Sequence, residues 1–529
     1  MKARSNSKTV SAGTSSASSA IPGGSTCEFF FTPVRSDFSA FLHDITSFWW
    51  RHHEVQVAVE QDLDAGALKD KRLRQEDRAF ELARCAPLFP DADAEALKPF
   101  ASRLLTGRPR TPALVVFIAA MATGFTGSAY AAASRTLLLE SVSLHALLGD
   151  LGYKLPADNT LGTLVNRISE GTLSLILLAQ LADFLKEGLD TFGELTVDST
   201  AIKASSCWPT DAKLIYGHFE RSCRLGAKLS AFGLTPLNVV CKDVLLKEVK
   251  NQERNIALLG GGPTRAQRLR HLYDKFYQSA CSLANKLIEA TLALLLNVEK
   301  EILKLKPSLR EQAGLLIRQI HQDGVAAITT IHQSMLRVHD GISTKARDKV
   351  LSLADTSAAY IEKGGREPVI GYKPQLARSA AGFVTAFLLE EGNGADCLSL
   401  LPLVQQSVLN TGVTPPSIST DDGYAGKKLL EAVRALGVER VSISGAKGKA
   451  LLGEDLWNHP DYLEQRCKRS AIESLMFTLK FNHNFGRPGR RGVAAVRAEL
   501  MLKILAYNFD HARLVRGRKS APARLPMAA

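Results

Sequence analysis

The chain has 529 residues, 45% of them hydrophobic and 22% charged, which excludes a wholly disordered or collagen-like polypeptide and allows a sizeable buried core. Lys and Arg total 66 against 53 Asp and Glu, and the net charge of +13 favours a polyanionic partner, either nucleic acid or an acidic membrane surface. The eight cysteines are scattered with no Cys-x-x-Cys among them, which argues against a disulfide framework or a structural zinc cluster and for reduced thiols in a cytoplasmic protein.

Residues 1–26 hold eight serines and no apolar run, so they read as a disordered tail without a signal-peptide core. Residues 27–190 read as helical, with apolar side chains recurring every three or four positions. Inside this region Thr111 to Ser134 has no charge over 24 residues, but only Ala113–Ala122 is solidly apolar. A membrane span needs about 20 apolar residues, so two buried helices joined at Gly124 and Gly127 are expected instead. Asp158 or Asn159 is expected to cap a helix over Leu161–Ile168. Two short helices at this point are compatible with a helix-turn-helix, although plain helical packing is the preferred reading.

The texture changes at 193–202, where Leu195-Thr196-Val197 predicts a strand ending in Asp198-Ser199-Thr200. Further strands are predicted at Val369–Tyr372, Gly382–Leu389, Ser417–Thr420 and Arg440–Ser444, with a turn around Ser379–Ala381. Helices are predicted at Leu398–Leu409, at Lys427–Leu436 and from about Leu463. The expected fold class is α/β, a mixed sheet with flanking helices. Between the β regions, Thr264 to Lys306 contains neither Gly nor Pro and keeps a helical apolar stripe from Leu269 to Val298. Pro307 is expected to stop it, and a second helix should run from Leu309 to about Val338, giving a helical hairpin or, as the sharper alternative, a dimeric coiled coil.

Residues 466–529 hold fourteen Lys or Arg against three acids, with Phe481, Phe485 and Arg487 interleaved, a composition suited to nucleic-acid contact. Three carboxylates stand where a sheet and a late helix would present them: Asp198 at the end of the first strand, Asp421 after Ser417–Thr420, and Glu473. Singly, each has a plainer use as a turn, a helix cap or a helical ion pair. Brought together, three carboxylates repel unless a cation neutralises them, and an all-oxygen donor set suits magnesium. Two such ions serve in-line displacement at phosphorus. Arg469, Glu473 and Lys480, spaced four and seven apart, should project from about one helical face, so that the bases hold phosphates beside the acid. No Walker glycine loop is present, so ATP is not implied.

The stretches Leu195-Thr196-Val197-Asp198-Ser199-Thr200, Pro209-Thr210-Asp211, Gly371-Tyr372-Lys373-Pro374, Asp421-Asp422-Gly423-Tyr424 and Arg469-x3-Glu473-x6-Lys480 resemble those of bacterial insertion-sequence DDE transposases. That family has an RNase H-like catalytic core and a Tyr-x2-Arg-x3-Glu-x6-Lys signature, whose Tyr would fall on Arg466 here. The resemblance implies a catalytic domain over 191–250 and 365–515 and a helical DNA-end-binding region over 27–190. It leaves a helical insertion over 251–364 and a basic tail over 516–529. It implies that Asp198, Asp421 and Glu473 hold two magnesium ions, with manganese as a substitute, and that they cut and join double-stranded DNA without a covalent enzyme–DNA intermediate. The family pattern of Asp, any residue, Gly, Tyr selects Asp421 over Asp422, and Asp211 is read as structural or substrate-positioning. Arg469, Lys480, Arg487, Arg490 and Arg491 are the expected DNA contacts. A homodimer on DNA in the bacterial cytoplasm, with no membrane partner, completes the implied picture. The alternative is a non-catalytic, transposase-derived DNA-binding or regulatory protein.

Overall fold

A computed structural model describes residues 38–85, 111–129, 137–150, 152, 155–204, 210–234, 244–345, 348–353, 355–362 and 367–520. The N-terminal part is helical: α1 (Phe38–Arg51), α2 (His53–Cys85), α3 (Ala113–Phe125), α4 (Val142–Asp150), α5 (Asp158–Val165) and α6 (Glu170–Lys186). Strands β1 (Glu194–Ser199) and β2 (Ile202–Lys203) follow. Next come α7 (Asp211–Ala231), α8 (Val244–Ala257), α9 (Arg265–Leu296), α10 (Val298–Leu303) and α11 (Pro307–His339). The chain returns to β structure in β3 (Ala359–Ile361), β4 (Val369–Tyr372), β5 (Gln375–Ser379) and β6 (Val384–Leu388). The remainder alternates: α12 (Asp396–Thr411), β7 (Ser417–Thr420), α13 (Lys427–Ala435), β8 (Arg440–Ile443), α14 (Ala446–Leu452), α15 (Glu454–Asn458), α16 (Pro460–Lys468), α17 (Ala471–Asn482) and α18 (Val493–Ser520).

The central sheet has the order β6-β5-β1-β7-β8. β5 runs antiparallel to both its neighbours, β6 and β1, and β7 and β8 run parallel to β1. This is the expected α/β, RNase H-like sheet with flanking helices. A small second sheet, β2-β4-β3, carries the chain into and out of the insertion. The expected turn follows Ser379, where Gly382 N donates to the Ser379 carbonyl at 3.0 Å, but β5 just before it was not expected. Gln-Leu-Ala-Arg-Ser has no β-branched residue and so little strand signal of its own, yet it lies between β1 and β6 and is fixed by pairing on both edges.

One core cluster joins the N-terminal helices to the sheet and to α17 and α18. α3 is buried on all sides, every residue from Ala113 to Phe125 included, and packs along α18. Gly124 sets that contact, since a Cβ there would lie 2.0 Å from the Leu502 carbonyl oxygen. The uncharged Ala113–Phe125 run is therefore a core helix of this protein. The expected cap of α5 is displaced: Ala157 is the N-cap, and Asp158 and Asn159 already lie inside the first turn, where the Asp158 carboxylate complements the helix dipole. Ser169 does cap the next helix, accepting from Thr172 N at 3.2 Å.

A second core belongs to the insertion. Leu283, Leu287 and Phe276 of α9 meet Ile317, Ile320 and Ile331 of α11, and α7 contributes Ile215 and Phe219. The apolar stripe of α9 is thus covered within the chain, in a hairpin rather than a coiled coil with another copy. By length and composition alone α9 could cross a membrane. The insertion's core also draws in residues 212–234, ahead of the 251 read from sequence. α9 ends at Leu296, and Pro307 opens α11 as its first residue, a position whose N–H would have no helical partner. Ser308 N donates to Asp77 Oδ1 at 2.7 Å, fixing the arm against α2.

Candidate active site

β1 and β7 are neighbouring parallel strands, with Val197 opposite Thr420. The next residue on each is an aspartate, and Asp421 keeps an extended backbone (φ −86°, ψ 177°). The two acids therefore leave the same end of the sheet on strands about 4.8 Å apart. Asp198 is buried, and its Oδ1 accepts from Ser199 N at 2.6 Å. Asp421 Oδ1 accepts from Gly423 N at 3.0 Å.

Asp422 has a different task. Its Oδ1 accepts from Gly448 N at 2.9 Å, in the first turn of α14. That contact ties the turn after β7 to the helix after β8.

The third acid arrives from α17. Arg469, in the two-residue joint between α16 and α17, spans two carboxylates. Its Nη1 lies 3.5 Å from Asp198 Oδ2, and its Nη2 donates to Glu473 Oε1 at 3.1 Å. Asp198 and Glu473 thus converge on one guanidinium, although they stand 275 positions apart in the chain.

 The joint, rather than one unbroken helix, presents Arg469, while Lys480 comes from the same helix as Glu473. Lys480 Nζ donates to the Ala201 carbonyl at 3.2 Å, just past the end of β1.

Next to the acids sits a polar group in which Tyr424 and Gln375 are buried and Lys373 and Asp396 half-buried. The Tyr424 hydroxyl donates to Gln375 Oε1, and Gln375 Nε2 donates to Asp396 Oδ1 at 2.6 Å. Lys373 Nζ pairs with the same Asp396 oxygen at 3.1 Å. Burial pushes the Tyr424 phenol far above its ordinary range, and the nearby carboxylates of Asp396, Asp198 and Asp421 push it further, so it stays a neutral donor. Lys373 figured in the sequence reading only within the Gly371–Pro374 stretch, and Asp396 not at all. An aspartate in the first turn of a helix looks like an ordinary dipole partner, and only the fold brings it beside Asp421.

The remaining expected contacts are placed as follows. Arg487 and Arg491 are exposed on the loop between α17 and α18. Arg490 is half-buried, and its Nε donates to the Ala129 carbonyl at 2.9 Å, joining that loop to the segment after α3. Arg466, at the position of the signature's Tyr, stacks over the Trp457 ring at 3.8 Å. Asp211 pairs with Arg337 at 2.7 Å and belongs to the insertion. His218 contacts Asp323 there at 3.3 Å. Cys207, Trp208 and Pro209 lie outside the described residues, as do residues 1–26 and 521–529.

Among the described residues, no group of three His, Cys, Asp or Glu side chains is already drawn together as a metal cage. The donor set nevertheless fits a hard divalent cation. It offers carboxylate oxygens only, two of them at neighbouring strand ends and two converging on a single positive charge.

Much of the C-terminal positive charge serves internal contacts. Arg516 pairs with Glu187 at 2.7 Å and Asp44 at 3.1 Å, and Arg497 pairs with Glu170 at 3.1 Å. Lys503 and Glu499 form a fully buried pair at 2.6 Å. Burial lowers the Lys503 pKa, and the Glu499 carboxylate opposes that shift.

Residues 332–509 match the family model of the transposase DDE domain. The match takes in Asp421, Arg469, Glu473 and Lys480 and begins after Asp198 and most of the helical insertion. No curated protein and no solved structure matches the chain.

Proposed function

We propose that this chain, which carries a transposase DDE domain over residues 332–509, cleaves the DNA ends of an insertion sequence and transfers the strands into target DNA. The observation that carries the reading is the pairing of β1 with β7, which delivers Asp198 and Asp421 side by side, with Glu473 reaching Asp198 through Arg469.

In this reading Asp198, Asp421 and Glu473 would hold two magnesium ions, with manganese as a substitute. Such ions, when bound, activate the attacking oxygen and stabilise the leaving one. The chain's own residues do the rest. Arg469 offsets the negative charge of Asp198 and Glu473 and keeps both turned to one point. Lys480, held at the end of β1, stands where it can meet a phosphate on one side of the scissile bond. Arg487 and Arg491 extend the same positive surface from the neighbouring loop. Tyr424, Gln375, Lys373 and Asp396 buttress Asp421 from behind, so that its carboxylate does not drift as charge changes in front of it. Action on two element ends calls for a homodimer.

The test is cleavage of a DNA fragment spanning the coding region and its flanks, with magnesium or with chelator. Asp198→Asn, Asp421→Asn and Glu473→Gln should each reduce cleavage by at least about 100-fold, a range ordinary for removing a group that acts on developing charge. Duplex binding, read by anisotropy, should be retained. If all three variants leave every activity intact, the chain is a transposase-derived DNA-binding protein instead.

A further inference from the structure

α17 carries two large side chains that the proposed chemistry does not use. Phe477 and Phe481 are 62% and 71% exposed. Their ring centroids lie 4.3 Å apart, with planes inclined by 33°. The helix buries its opposite side, where Ile472, Leu475, Met476 and Leu479 enter the core. At 100° per residue, Glu473, Phe477 and Lys480 fall within about 60° of one another, and Phe481 lies about 40° beyond Phe477. The aromatic pair therefore starts one turn past Glu473 on the same face.

The surroundings are cationic. Lys480 lies between the two rings in sequence, and Gly486 packs on its stem, where a Cβ would stand 3.4 Å from Lys480 Cγ. That contact brings the loop with exposed Arg487 alongside. Lys203, also exposed, joins the same loop through its backbone N–H, which donates to the Gly486 carbonyl at 2.9 Å. Aromatic rings set among fixed cations are the composition of surfaces that stack nucleobases while neutralising the strand's phosphates.

We propose that Phe477 and Phe481 form a stacking platform for unpaired nucleobases of the DNA strand that passes Glu473. The platform rests on the proposed function, which puts DNA at that glutamate. It would favour a single strand or a locally opened duplex, with little base preference, because every base offers a π face. A second copy of this chain is the other possible occupant. Packing there would bring Lys480 and Arg487 of the two copies toward each other, which like-charge repulsion opposes.

The experiment uses the full chain and two probes at one salt concentration: a labelled oligothymidylate of about 20 nucleotides and a duplex of equal length. The F477A/F481A double variant should weaken oligothymidylate binding about tenfold or more and duplex binding less than about threefold. F477L/F481L, which keeps the apolar bulk, should lose binding in the same way, and F477W/F481W should keep it. Unchanged oligothymidylate affinity in the Ala and Leu variants would overturn the proposal. So would an equal loss on both probes, or a dimer-to-monomer shift in sedimentation with DNA affinities unaltered. A wild type that binds oligothymidylate through the two rings but never cleaves DNA would remove the catalytic reading while leaving the platform standing.

Discussion

Asp421 and Asp422 are neighbours with opposite duties. Asp421 continues the line of β7 toward Asp198, whereas Asp422 turns away to accept from Gly448 N. The expected outcome separates them. Asp421→Ala should abolish metal-dependent cleavage with little change in melting temperature. Asp422→Ala should keep cleavage within a few-fold but lower stability by about 1–2 kcal/mol, the usual effect of removing a side chain that accepts at a helix start. Cleavage assays paired with thermal melts would read both. From sequence, the choice of Asp421 came from a family pattern and not from physics. The Gly448 amide lies 26 residues further on, so no local rule connects it to Asp422. Asp198 and Glu473 were legible as candidates because each follows or enters a recognisable element. Their shared contact with Arg469 was not, since it depends on how α17 docks beside β1.

At the scale of elements, the strands that were legible are those with β-branched runs, Leu195-Thr196-Val197 and Val369-Ile370. β5 was missed because its neighbours, and not its own composition, make it a strand. The loop from His483 to Gly492 shows the same limit. Its Arg487, Arg490 and Arg491 were read as DNA contacts, with nothing in the sequence to say what holds the loop. The structure adds what holds them: Glu499 accepts from Gly489 N at 3.1 Å and Arg490 N at 2.9 Å, and Lys503 donates to the Asn484 carbonyl at 2.9 Å. A buried ion pair thus clamps both ends of the basic loop to α18. Removing one partner of such a pair leaves an uncompensated buried charge. Lys503→Met should therefore cost about 3 kcal/mol, the lower end of the usual range because two amides still serve Glu499. Calorimetry measures the loss. The loop should loosen with it, seen as faster amide exchange at Gly489 and Arg490.

Over the whole molecule, the helical N-terminal region and the central sheet share one core, so the boundary near residue 190 marks a change of secondary structure and not a gap in packing. The sequence showed α3 as an apolar run, and its partner α18 as a basic one. That the two are neighbours rests on Gly124, where the helices approach too closely for any side chain. Gly124→Ala forces a Cβ against the Leu502 carbonyl. It should cost up to about 3 kcal/mol, as overpacking against rigid backbone does. A lowered melting temperature shared by near-ultraviolet and far-ultraviolet signals would show that both regions unfold together. The insertion was legible in its long run without Gly or Pro, but its seat on α2 through Asp77 was not.

The close packing of α3 on α18 also bears on synthesis. The ribosome makes Ala113–Phe125 well before Val493–Ser520, so until α18 is made a nascent chain exposes the α3 face around Gly124 that later meets Leu502 and Ala506. The other side of α3 has partners already made, because Phe48 and Trp49 of α1 pack on Phe117. A product that stops before α18 would leave that first face bare, a target for chaperones and proteases.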